Sequence, residues 1–147
     1  RLSQTQIDRL LARETAEKGS PSLRTLRILV VEDNVDVADK LSALLRHDGH
    51  EVRLAHEGPT AIAAVDAFRP EIVLLDIALP GMDGYDVAQH IRQQSGSRNV
   101  GIVGLSGFTH EEAQRRAVEA GFDELLAKPV DLNVLATTLA RLVARKG

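Results

Sequence analysis

Three acids, a hydroxyl and a lysine carry the chemistry this chain can offer. Glu32-Asp33 follow the apolar run Arg27 to Val31, and Asp76 closes Ile72-Val73-Leu74-Leu75 and is followed by the loop Pro80-Gly81-Met82-Asp83-Gly84. Ser106 follows Val100 to Leu105, and Lys128-Pro129 follow Phe122 to Ala127. Each group stands at the end of its own apolar stretch, and in a parallel sheet such ends share one edge, so they can converge. Three carboxylates held that close repel and raise one another's pKa unless a cation neutralises them. Oxygen donors without His or Cys point to a hard ion, Mg²⁺ before Ca²⁺. Such an ion would let an Asp oxygen attack phosphorus by shielding it from the incoming phosphoryl charge. Lys128 and the Ser106 hydroxyl would each hold a phosphoryl oxygen. The set reads as a phosphoryl-accepting site with Asp76 as nucleophile.

Strands and helices that could position these groups alternate from Arg27 onward. Strands are expected at 27–32, 51–55, 71–76, 100–105 and 122–127, the second being the weakest because only Val52 and Leu54 are apolar. Between them fall helical stripes: Val37, Leu41, Leu44 and Leu45, stopped by Gly49; Ile62, Val65 and Phe68, stopped before Pro70; then Val87 and Ile91. Thr109 with Glu112 forms a capping box for a fourth helix, which Gly121 ends. Asp131 caps a fifth, with Val134, Leu135, Thr138, Leu139 and Leu142 as its apolar face. Asp33 or Asn34 can cap the first helix, and Asp83 reads as a solvated turn acid. Five βα units joined by right-handed crossovers give a doubly wound five-stranded parallel sheet with helices on both faces. This domain is expected over 27–147. Residues 1–26 read as an N-terminal extension, with an amphipathic helix at 4–18 on Ile7, Leu10 and Leu11 and a linker at Gly19-Ser20-Pro21-Ser22. The chain opens on Arg1, which suits a fragment of a longer protein.

Composition narrows the function classes. With 147 residues, 44% hydrophobic and 27% charged, the chain can bury a proper core. Residues 1–26 carry five basic and three acidic side chains, whereas 27–147 carry thirteen and eighteen. An acidic domain with three Phe, one Tyr and no basic stripe argues against direct nucleic-acid binding. The absence of Cys excludes disulfides and thiolate metal sites and suits a reducing compartment, and no apolar run reaches the length of a membrane span. These features lead us to expect a cytoplasmic chain without membrane contact, whatever anchors a parent protein. The five histidines (47, 50, 56, 90 and 110) lie outside the motifs and read as surface residues.

Taken together, residues 27 to about 145 resemble a bacterial response-regulator receiver domain. The resemblance rests on Glu32-Asp33, Asp76 with its Pro80 to Gly84 loop, Ser106 and Lys128-Pro129. It implies Asp76 as phospho-acceptor, Mg²⁺ held by Asp33, Asp76 and the Ala78 backbone carbonyl with Glu32 acting through water, and a cis Lys128–Pro129 bond. It also implies phosphoryl transfer from a histidine kinase or histidine phosphotransfer domain, slow self-hydrolysis, and Ser106 as a switch hydroxyl. Two positions depart from the common pattern: Leu125 stands where receivers usually carry an aromatic, and Glu32-Asp33 replaces Asp-Asp. Ala78 and Phe108, placed by the resemblance beside the path of the hydrolytic water, offer no group to orient it, which implies a long-lived phosphate. Stretches such as Phe68-Arg69-Pro70-Glu71-Ile72-Val73-Leu74-Leu75-Asp76 and Ala120-Gly121-Phe122-Asp123-Glu124-Leu125-Leu126-Ala127-Lys128-Pro129 look most like the terminal receiver of hybrid histidine kinases. The alternatives are a stand-alone single-domain regulator and a receiver-like interaction module independent of phosphorylation. A haloacid-dehalogenase-type phosphatase or a Toprim-type enzyme would need a second Asp where Ala78 stands, and no glycine-rich nucleotide loop is present.

Overall fold

A computed structural model describes residues 25–94 and 99–146. The helix expected at 4–18 and the linker at 19–22 lie outside the described residues. Strand β1 (Arg27–Val31) is followed by helix α1 (Val35–His47), β2 (Glu51–Ala55), α2 (Gly58–Phe68), β3 (Ile72–Asp76), α3 (Gly84–Gln93), β4 (Gly101–Ser106), α4 (Glu111–Ala120), β5 (Glu124–Ala127) and α5 (Leu132–Lys146). All pairings are parallel, in the order β2-β1-β3-β4-β5. This is the doubly wound, flavodoxin-like sheet that the alternation of strand and helix signals demands.

Period-2 alternation splits each central strand between two cores. Ile28, Val30, Ile72, Leu74, Val103 and Leu105 face one side, where Leu41 and Leu45 of α1 and Leu135, Leu139 and Leu142 of α5 cover them. Leu29, Val31, Val73, Leu75 and Ile102 face the other, beneath α2, α3 and α4. The weak β2 is an edge strand, which needs only one buried flank.

Several local signals land as expected. Asn34 caps α1 by accepting the Val37 N–H at 3.0 Å, and Asp131 caps α5 through Asn133 N–H and Val134 N–H. Gly121, at φ 101°, ends α4 in the left-handed conformation that glycine adopts without penalty. Asp83 caps α3 through Asp86 N–H, giving that turn acid a definite partner.

Other details differ. The cap of α4 is His110, whose Nδ1 accepts from Ala113 N–H at 3.3 Å, so the Thr109–Glu112 capping box is not formed. Strand β5 begins at Glu124, because Phe122 and Asp123 are spent on the turn: Phe122 N–H bonds to Ala117 O, and the Asp123 carboxylate accepts from Ile102 N–H. Val37, Leu44 and Val134, expected in the core, are 42–47% exposed. Each lies on the flank of its helix, outside the arc that meets the sheet, and Ala38 takes the inner position on α1. His50 is not a plain surface residue either; its Nδ1 accepts the Leu26 N–H at 3.1 Å at the entrance to β1.

Candidate functional site

The strand order reverses between β1 and β3, which opens a crevice at the carboxyl ends of these two strands. Glu32 and Asp33 leave β1 there, and Asp76 is the last residue of β3. One carboxylate oxygen from each of Glu32, Asp33 and Asp76 lies within 4.8 Å of the others. Glu32 and Asp76 are only 2% exposed, whereas Asp33 is open to solvent. Burial pushes the Glu32 carboxyl above its ordinary value; the Asn34 N–H pulls it down, the Asp76 charge raises it, and Lys128 opposes that rise.

Lys128 arrives from the end of β5. Its Nζ donates to Asp76 Oδ2 at 3.2 Å and stands 3.7 Å from Glu32 Oε1. Burial depresses the ammonium, but attraction to Asp76 and Glu32 outweighs it and the net shift is upward. The residue is placed by Lys128 N–H bonding to Ser106 O, and the Lys128–Pro129 peptide is cis, as the resemblance implied. Asp76 Oδ1 accepts the Ala78 N–H at 3.1 Å, so both its oxygens are oriented.

Ser106 closes β4 next to Asp76, whose partner across the ladder is Leu105. Its hydroxyl is turned into its own loop: Oγ donates to Phe108 O and accepts from Phe108 N–H, both at 2.9 Å. The site therefore gathers the carboxylates of Glu32, Asp33 and Asp76, pairs Lys128 with Asp76 and Glu32, and leaves Ser106 beside them with its hydroxyl engaged elsewhere.

Two contributors escape a reading by residue type. Gly84 sits where a Cβ would be 2.6 Å from Ile77 Cα and 2.7 Å from Asp76 O, and its N–H bonds to Ile77 O at 2.7 Å. This glycine allows α3 to start directly against the segment that carries Asp76. Its signal was the second Gly of the Pro80 to Gly84 loop, just before a helical period. Arg92 joins α3 to the far edge of the sheet, donating to Gly121 O, Val100 O and the Asp123 carboxylate. Nothing in the residues around Arg92 advertises that role.

Glu32 Oε1 is buried without a hydrogen-bond partner, in a pocket of three carboxylates opposed by one ammonium. An all-oxygen, electron-rich pocket with an unsatisfied acceptor suits a hard divalent cation. The family model for the response regulator receiver domain matches residues 28–140. The chain belongs to the response-regulator receiver family. This receiver is 40% identical over 103 residues to the DNA-binding response regulator MtrA of Mycobacterium tuberculosis, covering 70% of this chain and 44% of that protein. It is 36% identical over 120 residues to the sensory transduction protein RegX3 of the same species, covering 82% and 51%. The receiver thus spans about half the length of the curated relatives it matches. Among solved structures, it resembles the receiver domain of the sensor histidine kinase PA1611 from Pseudomonas aeruginosa, which has a magnesium ion coordinated in its active-site cleft. That match has 31% identity and a TM-score of 0.75, and covers 82% of this chain and 99% of the other. A putative response regulator from Chloroflexus aurantiacus matches at 30% identity and TM-score 0.77, with 82% and 99% covered. Among the described residues, no helix is long and apolar enough to cross a membrane.

Proposed function

We propose that Asp76 is the phospho-acceptor of this receiver, with Lys128 and Ser106 as the groups that read the phosphoryl and Glu32, Asp33, Asp76 and the Ala78 carbonyl as the Mg²⁺ site. The observation that carries the assignment is the buried Asp76 carboxylate, held at Oδ1 by Ala78 N–H and at Oδ2 by Lys128. A carboxylate oxygen of Asp76 forms a bond to phosphorus while the P–N bond of a phosphohistidine breaks and the imidazole nitrogen departs. Bound Mg²⁺ would supply charge neutralisation for the approach of the two anions. Lys128 keeps one fixed positive charge in the pocket and exchanges its Asp76 partner for a phosphoryl oxygen. The test is Asp76→Asn: labelling by acetyl phosphate or a phosphohistidine donor should vanish, and undiminished labelling would refute the assignment.

The donor is a histidine on a kinase or phosphotransfer domain. Supporting this, an apolar groove of about 490 Å³, lined by Val37, Leu41, Leu44, Pro129, Val130 and Leu132, runs up to Glu32 and Lys128. On this reading the exposed flank of α1 is a docking surface for that donor domain beside the acceptor.

Within a larger protein we place this receiver, after residues 1–26, as the terminal receiver of a hybrid histidine kinase in the cytoplasm. The likeness to the PA1611 receiver favours that placement, while the MtrA and RegX3 matches favour a regulator with a further output segment. The reading frame upstream and downstream of this chain separates the two.

A further inference from the structure

Phe108 is the most conspicuous side chain that the phosphoryl site does not use. It is 72% exposed, on the short loop between β4 and α4. A single exposed aromatic needs no explanation by itself. This one, however, borders a cavity of about 230 Å³, open to solvent on one side, whose walls include Ile77, Tyr85, Ala113 and Arg116. A cavity of about 150 Å³ is enough to hold a benzene ring. Its walls are firm: the Tyr85 ring meets Phe122 edge-on at 6.0 Å, and the Arg116 guanidinium lies 4.1 Å above Tyr85. That guanidinium could receive a second ring face.

The Ser106 hydroxyl holds the backbone that carries this ring, bonding to both the N–H and the carbonyl of Phe108. A serine hydroxyl has one proton to donate. If it donates to a phosphoryl oxygen on Asp76, it must release Phe108 O. Gly107 stands between the two residues, and a Cβ there would meet nothing within 4 Å, so the loop has room to turn.

We propose that Phe108 is a hinged plug: when Ser106 donates to the phosphoryl group, the freed loop turns and the Phe108 ring enters the cavity between Ile77, Tyr85, Ala113 and Arg116. This rests on the assignment of Asp76 and Ser106 above. The consequence is a change of surface, because an exposed ring on the β4–α4 loop disappears from the face offered to a partner. Leu125 has no ring with which to perform such a movement, whereas Phe108 has one.

The full chain contains no Trp, so Phe108→Trp gives a single emission reporter. Beryllofluoride with Mg²⁺ serves as the phosphoryl mimic, with its binding followed independently by ¹⁹F resonance. On binding, the indole emission of the Phe108→Trp protein should move to shorter wavelength and iodide quenching should fall several-fold. In the unsubstituted chain, cross-relaxation from the Phe108 ring to the Ala113 and Ile77 methyls should strengthen. Ala113→Leu, which fills the cavity, and Ser106→Ala, which removes the single donor, should each abolish the emission shift. Bound beryllofluoride with unchanged emission and unchanged cross-relaxation overturns the plug alone. An emission shift that survives Ala113→Leu also overturns it, since the ring would then be entering some other site. Failure of the unsubstituted chain to bind beryllofluoride overturns the Asp76 assignment, and this inference falls with it.

Discussion

Replacing Gly84 by Ala adds one methyl group at the start of α3, and helix propensity alone would favour it by up to about 1 kcal/mol. The structure argues for the opposite sign. The new Cβ would lie 2.6 Å from Ile77 Cα and 2.7 Å from Asp76 O, and both atoms are backbone, so no side chain can rotate away. Restoring ordinary contact requires a displacement of roughly 0.8 Å, and overpacking of this kind typically costs about 1–3 kcal/mol. The net loss should be about 1–2 kcal/mol, or about 3–6 °C in Tm for a domain of this size. The displaced segment carries Asp76, the proposed acceptor, and a misplacement near 1 Å can slow a positioned reaction about a hundredfold. Phosphorylation by acetyl phosphate should therefore fall by roughly one to two orders of magnitude at a temperature where Gly84→Ala is fully folded. Urea unfolding followed by circular dichroism gives the first quantity, and intact-mass kinetics with Mg²⁺ gives the second. A Gly84→Ala protein of native stability and native labelling rate would refute the claim that this close approach sets the position of Asp76.

Lys128→Ala should leave the fold intact and permit slow labelling of Asp76, but amide shifts caused by beryllofluoride should no longer reach residues 107–110; native-like shifts there would refute the role given to Lys128. Val37→Asp and Leu44→Asp alter exposed positions and should change stability by no more than about 0.5–1 kcal/mol, yet transfer from a phosphohistidine protein should drop at least tenfold while labelling by acetyl phosphate is unchanged; equal transfer would remove the α1 flank as the donor's docking surface. His50 supplies a pH effect. Burial lowers its pKa against the opposing pull of Asp48 and Glu71, and Nδ1 needs its lone pair for Leu26 N–H. The neutral ring is the form the fold prefers, so its contribution is complete above the ordinary pKa near 6.5 and is lost as pH falls through the lowered value. Urea unfolding from about pH 7.5 to 5 should show a steeper acid-side loss in the native chain than in His50→Gln, and equal slopes would refute this.

Strand ends were legible because an apolar run must stop where a charge begins, and Glu32, Asp76 and Lys128 stop three of the runs. The convergence of those groups followed from parallel order alone. Helix faces were less legible. Val37, Leu44 and Val134 satisfy a helical stripe as well as Leu41 or Leu135 do, yet only the arc that meets the sheet is buried. Caps show a similar limit: Thr109 and His110 are adjacent, both have acceptors, and the loop geometry set by Ser106 decides which one serves α4. Gly84 and Arg92 act through distances between segments far apart in sequence, to which residue type and spacing give no access.

The place of Asp76 in the sheet has a mechanical consequence. Strand β3 is bonded on one side to β1 and on the other to β4, and the backbone just beyond it continues the ladder through Ile77 N–H to Leu105 O. Asp76 is thus carried by a strand paired on both sides, which resists displacement better than a loop would if a bulky, doubly charged group were attached. Under the proposed chemistry, adjustment would fall to the connections after β4 and β5, which begin beside the Asp76 carboxylate. An acceptor anchored in this way would pass a local chemical event on to the connections that begin at Ser106 and Lys128, and would do so without disturbing the core.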